Sequence, residues 1–321
     1  MNIGKAIGIA FLVIAIVAIG LLSTKIYNPS WNPFKPSPEK IIQKAGENLK
    51  NIKSFNSKIT GSLEGETQKL AFVIDYNYSG KDSEKTKMEG STEVEFSTEG
   101  ITMNGEVDFI TKEKQFFLKI NTFPAVLSPY LQMFGLSSDS IKDEWIAFST
   151  SSTESTIEDQ NIENIEKEIT KKLDKLFIIK KEYKDEEVNG NDCYHYLVEL
   201  DNEKAKEVIK DIMKEVSSNS QLNTTELNQT FDQMKGLSGE IWIGSKDYNI
   251  YKLKTDSEIE NATSSNINSL SLEITFSDFN KDFEINVPEN FITLKELMNQ
   301  GSSIFQQQLE NSQVPSQQYQ Y

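Results

Sequence analysis

Apolar and polar residues alternate strictly along several stretches of the first half of the chain. In residues 70–78 the even positions are aliphatic or aromatic, whereas Asp75 and Asn77 fall on the other side. A period of two is typical of a β-strand that buries one face. The same alternation recurs in residues 94–96, 101–109 and 116–120, with short polar turns between them. We therefore predict an antiparallel meander that has one polar face and one apolar face.

The segment before this meander has helical spacing instead. Ser37, Pro38 and Glu39 follow the order of an N-cap hydroxyl, a first-turn proline and a first-turn acid. The apolar residues of the segment then recur on one helical face, namely Ile41, Ile42, Ala45, Leu49 and Ile52. This pattern predicts an amphipathic helix over residues 38–53 that lies against the domain.

The second half of the chain mixes both periods. Helical spacing appears in residues 163–177, 201–216 and 225–234, and strand character appears in residues 143–150, 177–183, 193–200, 239–244, 249–255, 270–279 and 283–287. Residues 123–135 break the alternation and are rich in apolar side chains, so they either cover the apolar face or project from the domain as a contact surface. The pattern as a whole predicts an α+β fold.

An uncharged apolar run from Ala6 to Thr24 precedes the domain. A helix of this length spans the roughly 30 Å hydrocarbon core of a bilayer. A cleaved secretory signal and a buried helix are the alternatives, whereas a lipoprotein signal needs a cysteine that residues 23–25 lack. We predict a membrane anchor over residues 1–26 and a proline-rich stalk over residues 27–37. The domain would then cover residues 38–298, with a disordered Gln/Ser-rich tail over residues 299–321.

This topology predicts a single-pass protein of the cell membrane with the bulk of the chain outside the cytoplasm. The positive-inside bias is weak here, because Lys25 and Lys35 follow the span.

Composition excludes several kinds of function. The chain has 33 basic and 49 acidic residues and a net charge of −16, which argues against binding to nucleic acid. Every basic residue is a lysine, so no bidentate arginine clamp exists. The lone Cys193 and the lone His195 lie two apart on one predicted strand face, where packing explains them better than catalysis. We expect no enzyme, no catalytic or metal-binding residue and no cofactor.

The last hundred residues carry a family resemblance. Residues 239–244, residues 247–254, residues 272–280 with Asp278-Phe279-Asn280, and residues 285–288 resemble the end of the periplasmic lipoprotein-carrier superfamily. That group includes the LolA and LolB carriers and the mycobacterial LppX/LprG type. The passage from Gly190 through residues 193–198 to the helix at Asp201 is also similar to the family's turn, strand and helix.

The resemblance implies an antiparallel sheet curled into a half-barrel, with helices over an apolar cavity that holds acyl chains. The chain departs from the family because it lacks the lipidated cysteine of the lipoprotein members and all arginine. We therefore expect a membrane-anchored, extracytoplasmic protein whose partners are the membrane and a lipid or acylated ligand, in lipid transport or sensing. The alternative is an envelope interaction or structural protein with a filled core, and the protein partner is open in both cases.

The candidate ligand-binding residues are the apolar residues of one strand face in each block, and the pattern leaves open for each strand which of the two sheet faces is the inner one. They are Phe72, Ile74, Tyr76, Phe96, Phe109, Phe116, Leu118, Ile241, Ile243, Leu272, Ile274 and Phe276.

Overall fold

The computed structural model describes residues 36–80, 86–112, 115–133, 135–149, 176–216, 238–258 and 267–299. The predicted membrane span, most of the stalk, the Gln/Ser-rich tail from residue 300, the helix predicted at 225–234 and most of the helix predicted at 163–177 lie outside these ranges. No helix within the described ranges is long and apolar enough to cross a membrane.

Thirteen strands in the described ranges form one sheet. In chain order they are β1 (Ser54–Gly65), β2 (Gln68–Ser79), β3 (Lys87–Thr98), β4 (Ile101–Lys112), β5 (Gln115–Thr122), β6 (Trp145–Ser149), β7 (Phe177–Glu182), β8 (Glu186–Val188), β9 (Asn191–Leu200), β10 (Ser238–Gly244), β11 (Ile250–Glu258), β12 (Ile267–Ser277) and β13 (Ile292–Thr293). The spatial order is β13-β6-β5-β4-β3-β2-β1-β12-β11-β10-β9-β7, and β8 pairs with β9.

The sheet is large, curled and mostly antiparallel, and it does not close. The strands β13 and β7 end the path at its two edges. Among the described strands, only the short β13 pairs in parallel with its neighbour, β6. Register shifts interrupt the ladders at Glu64/Gly65, Glu106/Val107 and Trp242/Ile243, and such bulges bend a strand and increase its twist. This architecture fits the half-barrel that the resemblance implied.

The described helices are few and mostly short. They are α1 (Pro38–Asn48), α2 (Ser128–Gln132), α3 (Ser138–Ile141) and α4 (Asn202–Val216), with 3₁₀ turns at Leu49–Asn51 and Ala125–Leu127 and a further helical stretch at residues 294–299. Proline and Glu39 open α1 as predicted, although the Ser37 side chain makes no capping hydrogen bond. Asp201 precedes α4, and its Oδ1 accepts a hydrogen bond from the Lys204 amide at 3.2 Å, as an N-cap residue does.

The first and last blocks of the sequence join at the centre of the sheet. The strand β1 pairs with β2 on one side and with β12 on the other, so Ile59 lies opposite both Ile74 and Ile274. Residues that lie directly opposite each other in a ladder have their side chains on the same face. The alternation seen separately in the two blocks therefore continues as one face across the whole sheet, which we call the inner face.

The helices α1 and α4 pack on the inner face of β9–β12 and β1. Ile41, Ala45 and Leu49 from α1 and Ala205 and Val208 from α4 are buried in this main core cluster. Polar contacts fix α1 against the turn between β10 and β11, because the Asn48 side-chain amide donates to Asn249 Oδ1 at 2.6 Å.

The prediction of a strand at residues 283–287 is wrong, because this segment pairs with no neighbouring described strand. Its apolar residues Phe283, Ile285 and Val287 nevertheless pack on the outer face of the sheet, around Ile110 and Phe117. A period of two reports an extended backbone with one buried side. It does not reveal whether a neighbouring strand supplies hydrogen bonds.

Candidate functional site

The twelve candidate residues share the inner face of the sheet. From the centre, Ile74 and Ile274 both lie opposite Ile59, and Ile274 also lies opposite Leu253, which in turn faces Ile241. The other candidates follow at steps of two along these strands or through the ladders of β2–β5. The sequence pattern therefore selected one face consistently, although the blocks that carry it are far apart in the chain.

The structure divides these twelve residues into two groups. Five are buried in the main core beneath α1 and α4, namely Ile241, Ile243, Leu272, Ile274 and Phe276. The other seven, on β2–β5, are half-buried, namely Phe72, Ile74, Tyr76, Phe96, Phe109, Phe116 and Leu118. The first group is thus core, and the second group forms the candidate site.

The inner face is covered again at its other end. Ile146 on β6 is buried together with Ile141 and Leu297, and Phe123 and Leu131 pack on this cluster. Between the two covered ends lies an apolar band of half-buried or partly exposed side chains on β2–β5. We define the apolar band as Leu70, Phe72, Ile74, Tyr76, Val94, Phe96, Met103, Val107, Phe109, Phe116 and Leu118.

Charge is sorted completely between the two faces of this half of the sheet. Along the described strands β1–β6, no inner-face position holds a charged residue. The outer face carries the charges and pairs many of them. Asn56 donates to Asp75 at 2.9 Å, and Lys119 forms a 2.8 Å ion pair with Asp108. An ionised ligand group inside the band would therefore find no counter-ion there, which makes its burial costly.

Three glycines lie on the inner face in or beside the band, and the sequence interpretation overlooked them. They are Gly61 on β1, Gly90 on β3 and Gly105 on β4, each in register with a band residue. Glycine inside a strand often marks a bend or the close approach of another group. Glycine in the interior of a predicted strand was the sequence signal that could have identified them. The search for alternating apolar residues did not consider glycine.

The one ionisable side chain type in the band is tyrosine. Burial raises the pKa of Tyr76 above its ordinary value, because a buried phenolate loses its hydration. Tyr76 is therefore neutral over the physiological range. The band offers apolar surface and a phenolic hydroxyl, and Thr92 and Thr111 place threonine hydroxyls beside it on the inner face. This chemistry suits packing against hydrocarbon.

Cys193 and His195 share a face as predicted, but it is the outer face of β9, away from the band. Cys193 is fully buried beside Trp242 and Tyr251, and burial, with a smaller effect of Asp247, raises its pKa to about 12. A thiol with such a pKa is a poor nucleophile. Among the described residues, no group of three or more His, Cys, Asp or Glu side chains is arranged to hold a metal ion.

His195 is packed as part of an aromatic stack. Its ring lies 4.2 Å from the Trp242 ring and 4.4 Å from the Tyr183 ring, and its Nε2 lies 2.5 Å from Glu240 Oε2. Lys252 lies over the Trp242 ring and Lys181 over the Tyr183 ring. The stack fixes β7, β9, β10 and β11 to one another and buries the imidazole.

Comparison with protein families gives one match over this domain. Residues 37–296 match the family described as "Family of unknown function (DUF6612)". The chain belongs to this family. No curated protein matches the chain.

Comparison with solved structures gives matches of low sequence identity. LprF from Mycobacterium bovis is 12% identical, with 80% of this chain and 100% of that chain covered and a TM-score of 0.42. LppX from Mycobacterium tuberculosis is 10% identical, with 79% and 100% covered and a TM-score of 0.40. A LolA superfamily protein from Nitrosomonas europaea is 11% identical, with 78% and 96% covered and a TM-score of 0.19.

Proposed function

We propose that this protein binds the hydrocarbon chain of a lipid or acylated ligand along the apolar band and performs no chemistry on it. The observation that carries the proposal is the sorting of charge on β1–β6. Half-buried apolar side chains line the inner face, and every charged side chain of these described strands lies on the outer face. A site of this kind gains free energy chiefly from apolar surface removed from water, at about 25 cal/mol per Å².

The ends of the band favour an elongated ligand. One end is closed by the core beneath α1 and α4, and the other by the cluster around Ile146. Between them the band crosses four strands, which at about 4.8 Å per strand corresponds to roughly 15–20 Å. An extended acyl chain of ordinary length matches this span, and its charged head group would lie outside the band, in water.

The proposed setting is the outer surface of a membrane. The apolar run at residues 6–24 is the proposed single-pass anchor, and the domain from residue 38 is proposed to lie outside the cytoplasm. In this setting the protein takes part in lipid or lipoprotein transport or sensing within reach of its anchor.

The test is native mass spectrometry with lipid extraction on the full chain, comparing two double variants on the same strand. Phe72→Asp with Ile74→Asp places charges on the inner face, and Ala71→Asp with Val73→Asp places the same charges on the outer face of β2. We expect a copurifying amphiphile in the parent and in the outer-face variant. The inner-face variant should lose it.

Circular dichroism on both variants separates loss of the site from loss of the fold. A folded parent that carries no amphiphile, and gains none on incubation with phospholipid vesicles, would overturn the proposal. The better interpretation would then be an envelope interaction protein with a filled core. The exposed apolar residues between β5 and β6 are the observation that supports this alternative.

A further inference from the structure

The connection between β5 and β6 exposes more large apolar side chains than any other short segment of the described chain. Val126 is 49% exposed, Leu127 37%, Tyr130 64% and Met133 73%. We call residues 123–133 the apolar ledge. Solvent-exposed apolar side chains scattered singly are ordinary, whereas a contiguous group marks a contact surface.

The ledge is a built element with two sides. Phe123 and Leu131 pack inward on the cluster around Ile141 and Ile146, and this anchors the exposed side chains in place. The ledge ends in a Schellman motif, because the Leu136 amide bonds Leu131 O and the Gly135 amide bonds Gln132 O, with Gly135 at a φ of 70°. The amides of Gly135 and Leu136 thus satisfy carbonyls at the end of the ledge, while Val126, Tyr130 and Met133 are exposed to solvent.

The ledge adjoins the apolar band. A Cβ atom built on Gly105 would lie 4.0 Å from Pro124 Cδ, and Gly105 lies opposite Val94 in the β3–β4 ladder. Val94 is itself 36% exposed. Apolar surface therefore continues from the ledge, over Pro124 and Gly105, onto the inner face of β3 and β4.

Charge identifies the kind of partner. Between Lys119 and Asp139 the sequence holds no charged residue, in a chain with 33 basic and 49 acidic residues. The ledge thus offers neither cations for anionic head groups nor ion pairs for a protein partner, and it suits insertion among uncharged acyl chains, with Tyr130 at the polar interface. The proposed anchor and stalk would also hold the domain near the membrane, because residues 25–37, at about 3.5 Å per extended residue, reach at most about 45 Å.

We propose that the apolar ledge inserts into the surface of a lipid bilayer and forms the entrance through which an acyl chain reaches the apolar band. The inference rests on the proposed function for its second half, the passage of the chain. Its first half, insertion of the ledge, is independent of whether the band is filled.

The test places an environment-sensitive fluorophore on the full chain at Met133→Cys and, as a matched control, at Ile178→Cys. Ile178 is an exposed apolar residue on β7, the strand at the opposite end of the sheet path, and the buried Cys193 does not compete for the label. The probes are phosphatidylcholine vesicles that contain a lipid with a nitroxide on its acyl chain. We expect several-fold stronger quenching at position 133 than at position 178, and a fall to the control level when Tyr130→Asp and Val126→Asp are added.

Equal quenching at the two positions would overturn the inference. Shielding of position 133 that depends on protein concentration without lipid would overturn it as well, since the ledge would then contact a second copy of the chain. Mass spectrometry of the same samples keeps the two proposals apart. A filled band with an unquenched ledge refutes insertion of the ledge and leaves the proposed function standing. A quenched ledge with an empty band refutes the proposed function, and with it the passage of the chain, whereas insertion of the ledge stands.

Discussion

The ring of Phe72 on β2 lies over Gly61 on β1, directly opposite it in the ladder. An atom at the Cβ position of Gly61 would lie far inside van der Waals contact with Phe72 Cζ. Leu272 on β12 lies on the other side of Gly61. Because Gly61 has no side chain, the Phe72 ring can reach the main core, against which it packs. Phe72 thereby connects the buried half of the inner face with the apolar band.

Substitution Gly61→Val should displace the Phe72 ring and destabilise the fold. We expect a loss of about 1–3 kcal/mol in the free energy of unfolding, typical of an overpacked site, measured by urea denaturation. Adding Phe72→Ala to Gly61→Val should recover part of this loss, because the clash is removed. If the losses of the two single variants simply add, the contact between Gly61 and Phe72 is not the cause.

Gly105 and Gly90 should respond differently to added side chains. A Cβ on Gly105 meets nothing closer than 3.8 Å, whereas a Cβ on Gly90 lies 2.6 Å from Tyr76 Cβ and even closer to the backbone oxygen of Asp75. Gly105→Leu should therefore fill part of the band and lower lipid occupancy in mass spectrometry without lowering the thermal midpoint. Gly90→Ala, in contrast, should lower the thermal midpoint of unfolding. Unchanged occupancy in Gly105→Leu would place the ligand elsewhere.

His195 should contribute to stability through both its stack and its carboxylate contact. Replacing it by Ala removes two ring contacts and the interaction with Glu240, and we expect a loss of about 2 kcal/mol. His195→Phe keeps a ring between Tyr183 and Trp242 and should lose about half as much. Urea unfolding followed by tryptophan fluorescence measures both. Equal losses would mean that the stacking contributes nothing.

Cys193 should be inert in the folded protein and should contribute to an alkaline loss of stability. Its folded pKa of about 12 lies above the ordinary value of 9.0, so the folded state favours the thiol. This stability is fully present below pH 9.0 and is lost as the pH rises toward 12. Iodoacetamide at pH 8 should modify Cys193 only after unfolding in guanidinium chloride, and Cys193→Ala should show a shallower decline above pH 9. Rapid alkylation of the native protein would contradict the buried placement.

The sequence by itself determined the local periods and, with them, which side chains share a face. Residues 38–48 of the helix predicted over 38–53 are helical, and the predicted strands within the described ranges, apart from residues 283–287, occur where their periods predicted them. All twelve candidate residues lie on the inner face. This information is local, because side chains of a strand alternate between its faces whatever the strand pairs with. The same reasoning also explains the error at residues 283–287, since alternation describes an extended chain and not its hydrogen-bond partner.

Only the tertiary structure decided which part of the inner face is core and which part is accessible. The pairing of β1 with β12 places Ile59 opposite Ile274 across more than two hundred residues of sequence, and no local pattern encodes such a long-range pairing. That pairing, with α1 and α4 packed over one end, buries Ile274 and Phe276 while Ile74 and Phe109 lie half-buried. Coverage of a face depends on which distant elements pack on it, and the free energy of that packing is distributed over many contacts that a period of two cannot express.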